Sequence, residues 1–559
     1  MVNHCIMIYG KIADVLTRKI YPGKITVKDG RISSIEPIAE TDEQASACVN
    51  YILPGLVDSH IHIESTLMVP RNYARMAVAN GVVAAVCDPH EIANVLGTSG
   101  MDFMIADGKN VRFNFSYAAP SCVPATPFET SGAILGPVEV EQMIRRDEVV
   151  ALAEMMNVPG VIFGDEQVHA KLAAAKHVSK PIDGHAPKVS GDGLGKYIAA
   201  GITTDHECET LEEAMEKIAL GMKVIIREGS AACDFERLYP LIAECPGQVM
   251  FCSDDMYPDD IDEIGYINGL IKRALAKKMP LWETIEAATL TPVRHYGLKN
   301  GLLQVGDQAD FIVVDNLEDF NVLSTYVHGE DVYSAETGIN ETAFVVGADT
   351  AGDYPNKFNA SEVTPDMMQM KWQDAPMKVM VATEGSLITG KELVRPSKDS
   401  YGNVITDVDA GISKIVVYSR YSPSEPQVAY IKGFSLRSGA IASTIAHDSH
   451  NIIAVGANDE DIATAINALV EATGGIAVCD CGKTEILPLP VAGLMTPLPP
   501  DEVARKHRAL RLMSYDMGCT IKAPFMTLAF MALPVIPELK LTDKGLFDGT
   551  TFSFISLWE

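Results

Sequence analysis

The chain has 559 residues, of which 47% are hydrophobic and 21% charged, and its formal net charge is −29 at pH 7. A single hydrophobic core stops growing beyond about 250–300 residues, so this length predicts two to three domains. The acidic balance argues against nucleic acid and against an anionic membrane surface as partners, because both are negatively charged.

The first fifty residues have the pattern of a small β domain. Short strands are predicted at Ile6–Tyr9, Lys24–Lys28 and Arg31–Ile35, joined by tight turns such as Asp29-Gly30. A further strand with turn residues on both sides comes much later, in Gly306–Asp315. We expect these two ends of the first half to pair, so that residues 1–52 with 300–345 form one small β domain.

Between these ends, β-rich runs alternate with helical patterns. Such alternation implies parallel strands with helical crossovers, and eight units of this kind are typical of a closed (β/α)₈ barrel. We predict this α/β barrel over residues 53–299. A doubly wound open sheet is the alternative fold, but we find no Gly-x-Gly-x-x-Gly turn after an early strand. The eight candidate strands are Ile52–Asp58, Val82–Asp88, Arg112–Ala118, Val149–Met155, Pro181–His185, Ile202–His206, Lys223–Arg227 and Gln248–Ser253.

The helical patterns between the candidate strands include Arg71–Asn80, Val138–Arg146, Glu166–Val178, Leu211–Leu220 and Phe235–Ala243. From about Met370 the pattern changes, and we expect a separate α/β or α+β domain over residues 370–559 after a linker near residues 345–370. Its predicted elements are strands at Met377–Val381, Lys414–Val417 and Ile452–Gly456 and helices at Asp459–Ala472 and Asp501–Met517.

The chain start, one apolar stretch and the cysteines bear on where the protein works. The chain start lacks the basic region and cleavage site of a signal peptide. Ala523–Pro537 is too short to span a bilayer and contains three prolines, so we interpret it as buried core. Eleven cysteines without a repeating framework favour reduced thiols. We therefore expect a cytoplasmic protein without a membrane partner, and leave homo-oligomerisation open.

Polar side chains concentrate at the ends of the predicted barrel strands. His60 and His62 end the first strand and, being two residues apart on a strand, point to the same face. In a (β/α)₈ barrel the catalytic groups gather at the carboxyl ends of the strands. Six side chains there have the types that a binuclear metal centre needs: His60, His62, Glu154, His185, His206 and Asp254.

These six residues predict hydrolytic chemistry. A carboxylate can bridge two ions about 3.5–4 Å apart, and such a pair lowers the pKa of water so that a metal-bound hydroxide exists at neutral pH. Asp254 would take the proton from this hydroxide and return it to the leaving group. Four histidines at strand ends, out of 13 in the chain, are more than chance placement explains.

The first-strand segment Pro54-Gly-Leu-Val-Asp-Ser-His-Ile-His62 resembles the corresponding motif of the amidohydrolase superfamily. Further segments resemble one family within it, the adenine deaminases of the bacterial long form, and the likeness runs nearly end to end. These segments are Asp88–Asn94, Glu154–Asn157, Asp183–Pro187, Asp205–Glu207, Arg227–Ser230, Ser253–Asp255, Ala446–Asn451 and Leu487–Leu494.

This resemblance implies a ligand assignment and a reaction. His60, His62 and Asp254 would hold one metal, His185 and His206 a second, and Glu154 would bridge them. Many amidohydrolases bridge with a carboxylated lysine, but the fourth strand here offers Glu154 and no lysine. The implied reaction is hydrolysis of adenine at C6 to hypoxanthine and ammonia, as in purine salvage. The implied cofactors are two divalent ions per chain, Mn²⁺ or Fe²⁺, with Zn²⁺ not separable by ligand type.

Other residues near the strand ends have less settled roles. Arg227, Glu228 and Ser230 are candidates for reading the purine, because a buried base needs its polar edge paired; a loop-stabilising ion pair is the alternative. Glu91 is a candidate catalytic proton-transfer group. His447 and His450 lie outside the barrel, and we expect them to order a loop rather than line the mouth of the site.

Two other functions remain open at this stage. One is another cyclic-amide amidohydrolase, such as a dihydroorotase-like or imidazolone-hydrolysing enzyme, against which the absence of a strand-four lysine counts. The other is a non-catalytic barrel scaffold, which predicts gaps in the ligand set. A cytidine-deaminase site is excluded, because His62-Ile-Glu64 lacks its Pro-Cys-x-x-Cys partner.

Overall fold

The structure is a computed structural model that describes residues 5–39, 41–347 and 354–559. Residues 348–353, within the predicted linker, and residues 1–4 and 40 of the predicted β domain lie outside the described residues. Among those described, no helix combines the length and the apolar character that crossing a bilayer requires. The first four strands are β1 (Cys5–Asp14), β2 (Lys19–Lys28), β3 (Arg31–Pro37) and β4 (Tyr51–Pro54).

The barrel strands are parallel and come in two hydrogen-bonded groups, one of five strands and one of three. The amide of Asp254 donates to the carbonyl of His60 at 3.0 Å, which joins the last strand to the first. The Thr203 amide donates to the Ile182 carbonyl at 2.9 Å and joins the two groups. The strands are β5 (Leu56–Ile61), β6 (Val82–Cys87), β7 (Asn114–Ala119), β8 (Val149–Met155), β9 (Ile182–Gly184), β10 (Thr204–Asp205), β11 (Lys223–Arg227) and β12 (Val249–Cys252).

Helices surround these strands. The one helix predicted over Phe235–Ala243 is instead two short helices, because Pro240 lacks the amide hydrogen that a continuous helix needs. The helices are α1 (Pro70–Ala79), α2 (His90–Leu96), α3 (Thr98–Gly108), α4 (Pro137–Ile144), α5 (Val158–Phe163), α6 (Glu166–His177), α7 (Gly191–Ala199), α8 (Leu211–Ala219), α9 (Phe235–Leu238), α10 (Leu241–Glu244), α11 (Pro258–Ile264), α12 (Ile267–Ala276), α13 (Leu281–Ala287) and α14 (Leu290–Tyr296).

The flanking β domain is one sheet in the order β16-β15-β14-β13-β4-β1-β2-β3. Its later strands are β13 (Phe311–Val314), β14 (Val322–Val327), β15 (Glu330–Ser334) and β16 (Gly338–Ile339), followed by α15 (Glu341–Phe344). The single strand predicted over Ile52–Asp58 is wrong: it divides at Gly55, with β4 in this sheet and β5 in the barrel. A Cβ on Gly55 would lie 2.3 Å from the Val83 side chain, so the chain turns where glycine allows this approach.

The C-terminal part forms a mixed sheet in the order β18-β17-β20-β19-β22-β21-β23-β24. Helix α16 covers one face through Ile462, Ile466 and Leu469, while a second apolar cluster is continuous with the barrel. Its elements are β17 (Met377–Thr383), β18 (Ser386–Val394), β19 (Ile412–Tyr418), β20 (Gln427–Lys432), β21 (Ala440–Ser443), β22 (Ile452–Gly456), α16 (Asp459–Glu471), β23 (Gly475–Asp480), β24 (Lys483–Pro488), α17 (Pro500–Asp516), α18 (Pro524–Phe530), β25 (Leu539–Thr542), β26 (Gly545–Asp548) and β27 (Ser553–Phe554).

Polar contacts fix this C-terminal part against the barrel. The His507 ring on α17 lies 2.7 Å from Asp259 on α11, and Arg511 contacts the same carboxylate at 3.1 Å. The Asn72 side chain donates to two carbonyls, those of Pro497 and Leu498, at 2.8 Å each. The residue boundaries of the three domains remain predictions, but the C-terminal part clearly packs on the end of the barrel where the strands finish.

Candidate metal centre

Two histidines and an aspartate converge at the junction of the first and last barrel strands. The Nε2 atoms of His60 and His62 lie 3.2 Å apart, and both are 3.2–3.3 Å from Oδ1 of Asp254. Asp254 adopts a left-handed backbone conformation, with φ of 55°, directly after β12. Three potential ligand atoms thus surround one point, an arrangement that a bound cation satisfies.

A second group forms around Glu154 at the end of β8. Its Oε2 lies 2.7 Å from Nδ1 of His185 and 3.1 Å from Nε2 of His206. Its other oxygen, Oε1, lies 3.5 Å from Nε2 of His62 and so faces the first group. The carboxylate therefore has one oxygen toward each group, which is the geometry of a bridging ligand.

The chemistry of these donors fits divalent transition metals. Imidazole nitrogens and carboxylate oxygens suit Mn, Fe and Zn ions alike. All six predicted ligands are at least nine-tenths buried, and they belong to overlapping groups whose ligand atoms lie within 4.8 Å of one another. The structure therefore brings together the whole predicted set: His60, His62, Glu154, His185, His206 and Asp254.

The opposite charges of the Glu154 carboxylate and the neighbouring imidazoles stabilise one another. Burial alone would raise the pKa of Glu154, but the His185 and His206 imidazoles hold it well below its usual range. Burial likewise opposes the charge on His206, yet its hydrogen bond to Glu154 raises the pKa of this imidazole to about 9. A histidine must be neutral to bind a metal ion, so metal binding at neutral pH displaces the extra proton from the imidazole.

Buried carboxylates behind the strands hold the ligands in place. Asp58 accepts hydrogen bonds from the hydroxyls of Ser253, at 2.6 Å, and Tyr266, at 2.5 Å, and thereby fixes the first and last strands beside His60 and Asp254. Asp205 is paired with the fully buried Lys217 at 2.8 Å. Burial opposes the charge on Asp205, but Lys217 lowers its pKa to about 2, so the residue before His206 stays ionised.

Glu91, the candidate proton-transfer residue, lies at the start of α2. Its Oε1 accepts a hydrogen bond from Ser65 at 3.0 Å and is 3.6 Å from Nδ1 of His447. Burial, with repulsion from the Asp255 and Glu64 carboxylates, raises the pKa of Glu91 well above its usual range. The raised pKa shifts this carboxyl group toward its protonated form, from which it can donate a proton.

The three predicted purine-reading residues separate in the structure. Arg227 lines a cavity together with the metal-ligand candidates, among them Asp254. Its guanidinium contacts Glu207, and its Nη1 lies 3.1 Å from Oδ2 of Asp254. Glu228 instead pairs with Arg273, and Ser230 donates to Asp260 at 2.5 Å, contacts that occupy both side chains outside the cavity. Arg227 is the last residue of β11 and Glu228 follows it, and successive side chains of extended chain point in opposite directions, which is why Arg227 faces inward and Glu228 does not. Their roles in binding substrate remain predictions.

The cavity has a second wall that the sequence did not reveal. It is lined on the barrel side by metal-ligand candidates and on the other side by five C-terminal residues: Leu387, His447, Asp448, Phe530 and Leu533. The expectation that His447 only orders a loop is therefore wrong. His447 stacks on Phe530 with ring centroids 4.4 Å apart, and it belongs to the motif Ala446–Asn451, which was the available signal.

Glu207 is also a cavity residue to which the sequence assigned no role. It follows His206, pairs with Arg227, and lies 3.5 Å from Nε2 of His206. A neighbouring pocket between barrel loops and the C-terminal part shares Glu207, Arg227 and Leu387 with the cavity. These three side chains thus separate the metal centre from that outer pocket.

Comparison with known proteins agrees with this site. The chain matches the model of the amidohydrolase family over residues 51–332 and that of the adenine deaminase C-terminal domain over residues 386–553. An adenine deaminase of Methanosarcina mazei is 49% identical over 98% of this chain and 99% of its own length. Another, of Salinibacter ruber, is 48% identical over 98% of both chains. This chain belongs to the adenine deaminase family.

Family membership gives the buried cluster a chemical identity. The amidohydrolase match, together with the ligand groups described above, implies a divalent metal at this site. Among solved structures, a β-aspartyl dipeptidase of Fervidobacterium islandicum aligns with 63% of this chain and 100% of its own, at a TM-score of 0.45 and 14% identity. The number and identity of the metal ions are not decided by the ligand set, and we treat them as proposals.

Proposed function

We propose that this protein hydrolyses adenine at C6 to hypoxanthine and ammonia with two divalent ions, Mn²⁺ or Fe²⁺, at the cluster. The observation that carries the proposal is the Glu154 carboxylate, whose two oxygens face different ligand groups in a chain almost half identical to adenine deaminases. Ions bound there would lower the pKa of a water molecule and so supply a nucleophile at neutral pH.

Asp254 is placed to move the proton. One of its oxygens faces His60 and His62, while the other accepts from Arg227 at 3.1 Å. Burial opposes its charge, but hydrogen bonds from the two histidines hold the pKa of Asp254 well below its usual range. The ionised carboxylate can accept a proton from water and pass it to the departing amine.

Glu91 supports the opposite role. Its raised pKa favours the protonated carboxyl group, and it shares the cavity with Asp254. We assign it the protonation of a purine ring nitrogen, which relieves the negative charge that develops when C6 is attacked. The cavity thus contains one carboxylate poised as a base and one carboxyl group poised as an acid.

The substrate contacts are part of the proposal. Arg227 is the residue of the predicted trio that lines the cavity, and we assign it to hold Asp254 and Glu207 rather than to read the purine directly. Purine salvage in the cytoplasm is the expected setting. Homo-oligomerisation stays a prediction.

The proposal is tested by following ammonia release and the ultraviolet change of adenine, using protein reconstituted with Mn²⁺ and, in parallel, protein treated with a chelator. We expect conversion to hypoxanthine only in the reconstituted sample, with two ions bound per chain. A bound metal pair without turnover of adenine would contradict the proposed substrate, and a panel of cyclic amides would then replace it.

A further inference from the structure

The C-terminal wall of the cavity includes a polar segment, two of whose side chains, His447 and Asp448, line the cavity. Residues 446–451 form a buried loop between β21 and β22. The loop is held on several sides: the amide of His447 donates to Ala529, Tyr421 donates its hydroxyl to Ser449, and Asn451 donates to the barrel residue Thr130. The two side chains that it turns toward the metal centre, those of His447 and Asp448, are therefore rigidly placed.

Asp448 is a buried residue with one unpartnered carboxylate oxygen. It is 2% exposed and lines the cavity, yet its Oδ2 has no hydrogen-bond partner among the described residues. The nearest cationic candidates are too far away to donate: Nε2 of His90 is 3.8 Å from Oδ2, and Nδ1 of His447 is 3.7 Å from Oδ1. Burying a carboxylate unpaired is costly, so such a group is retained where a ligand supplies the missing donor.

The position of Asp448 tells which part of the ligand it meets. The His90 ring lies between Asp448 and the metal ligands, since its Nδ1 is 3.6 Å from Oε1 of Glu154 while its Nε2 faces Asp448. The imidazole of His90 thus separates Asp448 from Glu154 and the rest of the metal-ligand candidates. A purine whose C6 faces the metals presents its five-membered ring farther out.

We infer that Asp448 selects the free base by accepting a hydrogen bond from the N–H of the purine's five-membered ring. This inference rests on the proposed function. Adenine carries such an N–H at N9 or N7, whereas a nucleoside or any 9-alkylated purine has none. A site built around a buried acceptor rejects an analogue that lacks the donor, because the acceptor is then left unpaired. The C-terminal part thereby supplies the specificity for a reaction that the barrel residues perform.

Adenine and 9-methyladenine, compared on three forms of the Mn²⁺-loaded full-length protein, test the inference. Asp448→Leu keeps the approximate volume and removes the acceptor, while Asp448→Asn keeps a neutral acceptor. We expect kcat/KM for adenine to fall on the order of 10- to 100-fold in Asp448→Leu and by less in Asp448→Asn. Turnover of 9-methyladenine should stay within about threefold in both, so that the preference for adenine collapses in Asp448→Leu and weakens in Asp448→Asn.

Asp543→Asn is the matched control. Asp543 also lies in the C-terminal part and accepts from the barrel amide of Thr130 at 2.9 Å, but it does not line the cavity. It should keep the unmodified preference for adenine. Metal content, measured on every form, shows whether a variant still holds its ions.

The outcomes separate the two proposals. Equal losses for both substrates in Asp448→Leu, or an Asp448→Leu form that prefers adenine as strongly as the unmodified protein, would overturn the role of Asp448 and leave the deaminase function standing. An unmodified, metal-loaded protein that does not convert adenine would overturn both. Should Asp448→Leu fail to fold, the isosteric Asp448→Asn form decides through the same ratio of substrates.

Discussion

The two walls of the cavity differ in what they are made of. The barrel wall is a network of imidazoles and carboxylates whose ligand atoms lie 2.7–3.5 Å apart, with charges that stabilise one another. The C-terminal wall is mainly apolar, through Leu387, Phe530 and Leu533, and its carboxylate Asp448 lacks a hydrogen-bond partner among the described residues for Oδ2. Both walls contain a buried atom without a hydrogen-bond partner among the described residues, Oε2 of Glu91 in the first and Oδ2 of Asp448 in the second, but the metal-ligand candidates all belong to the first.

This difference divides the reaction between the walls. Groups that hold metals and move protons must be mutually fixed, because catalysis depends on their relative positions. Groups that select a substrate need only fit its outline and its polar edge. We therefore expect changes in the barrel wall to lower kcat and changes in the C-terminal wall to raise KM, and the predictions below test that division in order of expected effect.

Replacing Asp254 with Asn should have the largest effect. The amide keeps the size of the side chain but cannot accept the proton, so kcat should fall by about 10²–10⁴-fold. Steady-state kinetics with adenine measure this loss, and metal analysis shows how many ions remain. A loss of ions that fully accounts for the loss of activity would mean that Asp254 acts as a ligand and not as a proton carrier.

Replacing Phe530 with Ala should act mainly on binding. Its ring stacks on His447 at 4.4 Å and forms part of the C-terminal wall, while every metal-ligand candidate is left intact. We expect KM for adenine to rise about tenfold, equivalent to ~1.4 kcal/mol, with a smaller change in kcat and unchanged metal content. A kcat loss at constant KM would break the division between the two walls.

Lys540 offers a test through stability instead of activity. It is fully buried on β25 and donates to the carbonyls of Leu387 and Phe530 at 2.9 Å each, so it ties together two residues of the C-terminal wall. Burial lowers the pKa of Lys540 to about 7. A neutral amine still has two N–H donors for these two carbonyls.

The pH dependence follows from this lowered pKa. Between about pH 7 and pH 10.5 the unfolded chain binds a proton on Lys540 that the folded chain does not, so the free energy of unfolding increases as pH rises. The slope of the free energy of unfolding against pH is at most about 1.4 kcal/mol per pH unit. It falls to zero below about pH 7, where Lys540 is protonated in both states. Denaturant unfolding of the native chain and of Lys540→Met at pH 7, 8 and 9 should show the native chain gaining stability relative to the variant as pH rises. Parallel pH profiles would contradict a neutral Lys540.

The barrel wall could be predicted from the sequence, and the C-terminal wall could not. Parallel strand ends converge by geometry, so His60, Glu154, His185 and Asp254 were expected to meet although they are far apart in the chain. No comparable rule says which loop of a second domain will close the cavity. Asp448 belongs to the recognisable motif Ala446–Asn451, but neither this motif nor the sequence around Phe530 indicates contact with the barrel, because that contact depends on how two complete folds dock.

The directions of individual side chains could not be predicted from the sequence either. Arg227 and Glu228 are adjacent, and only the alternation of side chains after β11 sends one into the cavity and the other toward Arg273. The division of the first predicted strand at Gly55 was missed for a similar reason, since the contact with Val83 comes from another strand. The fold class needed only the repeating pattern of strands and helices, which survives such local errors.

The residues of the two walls are also synthesised at different times. All six metal-ligand candidates lie between residues 60 and 254, whereas the opposite wall comes from residues 387 to 533. Because a chain is made from its N-terminus, the ribosome delivers the full set of metal donors long before the segments that cover them. The order of synthesis therefore places all six metal donors ahead of Asp448 and Phe530 in the opposite wall.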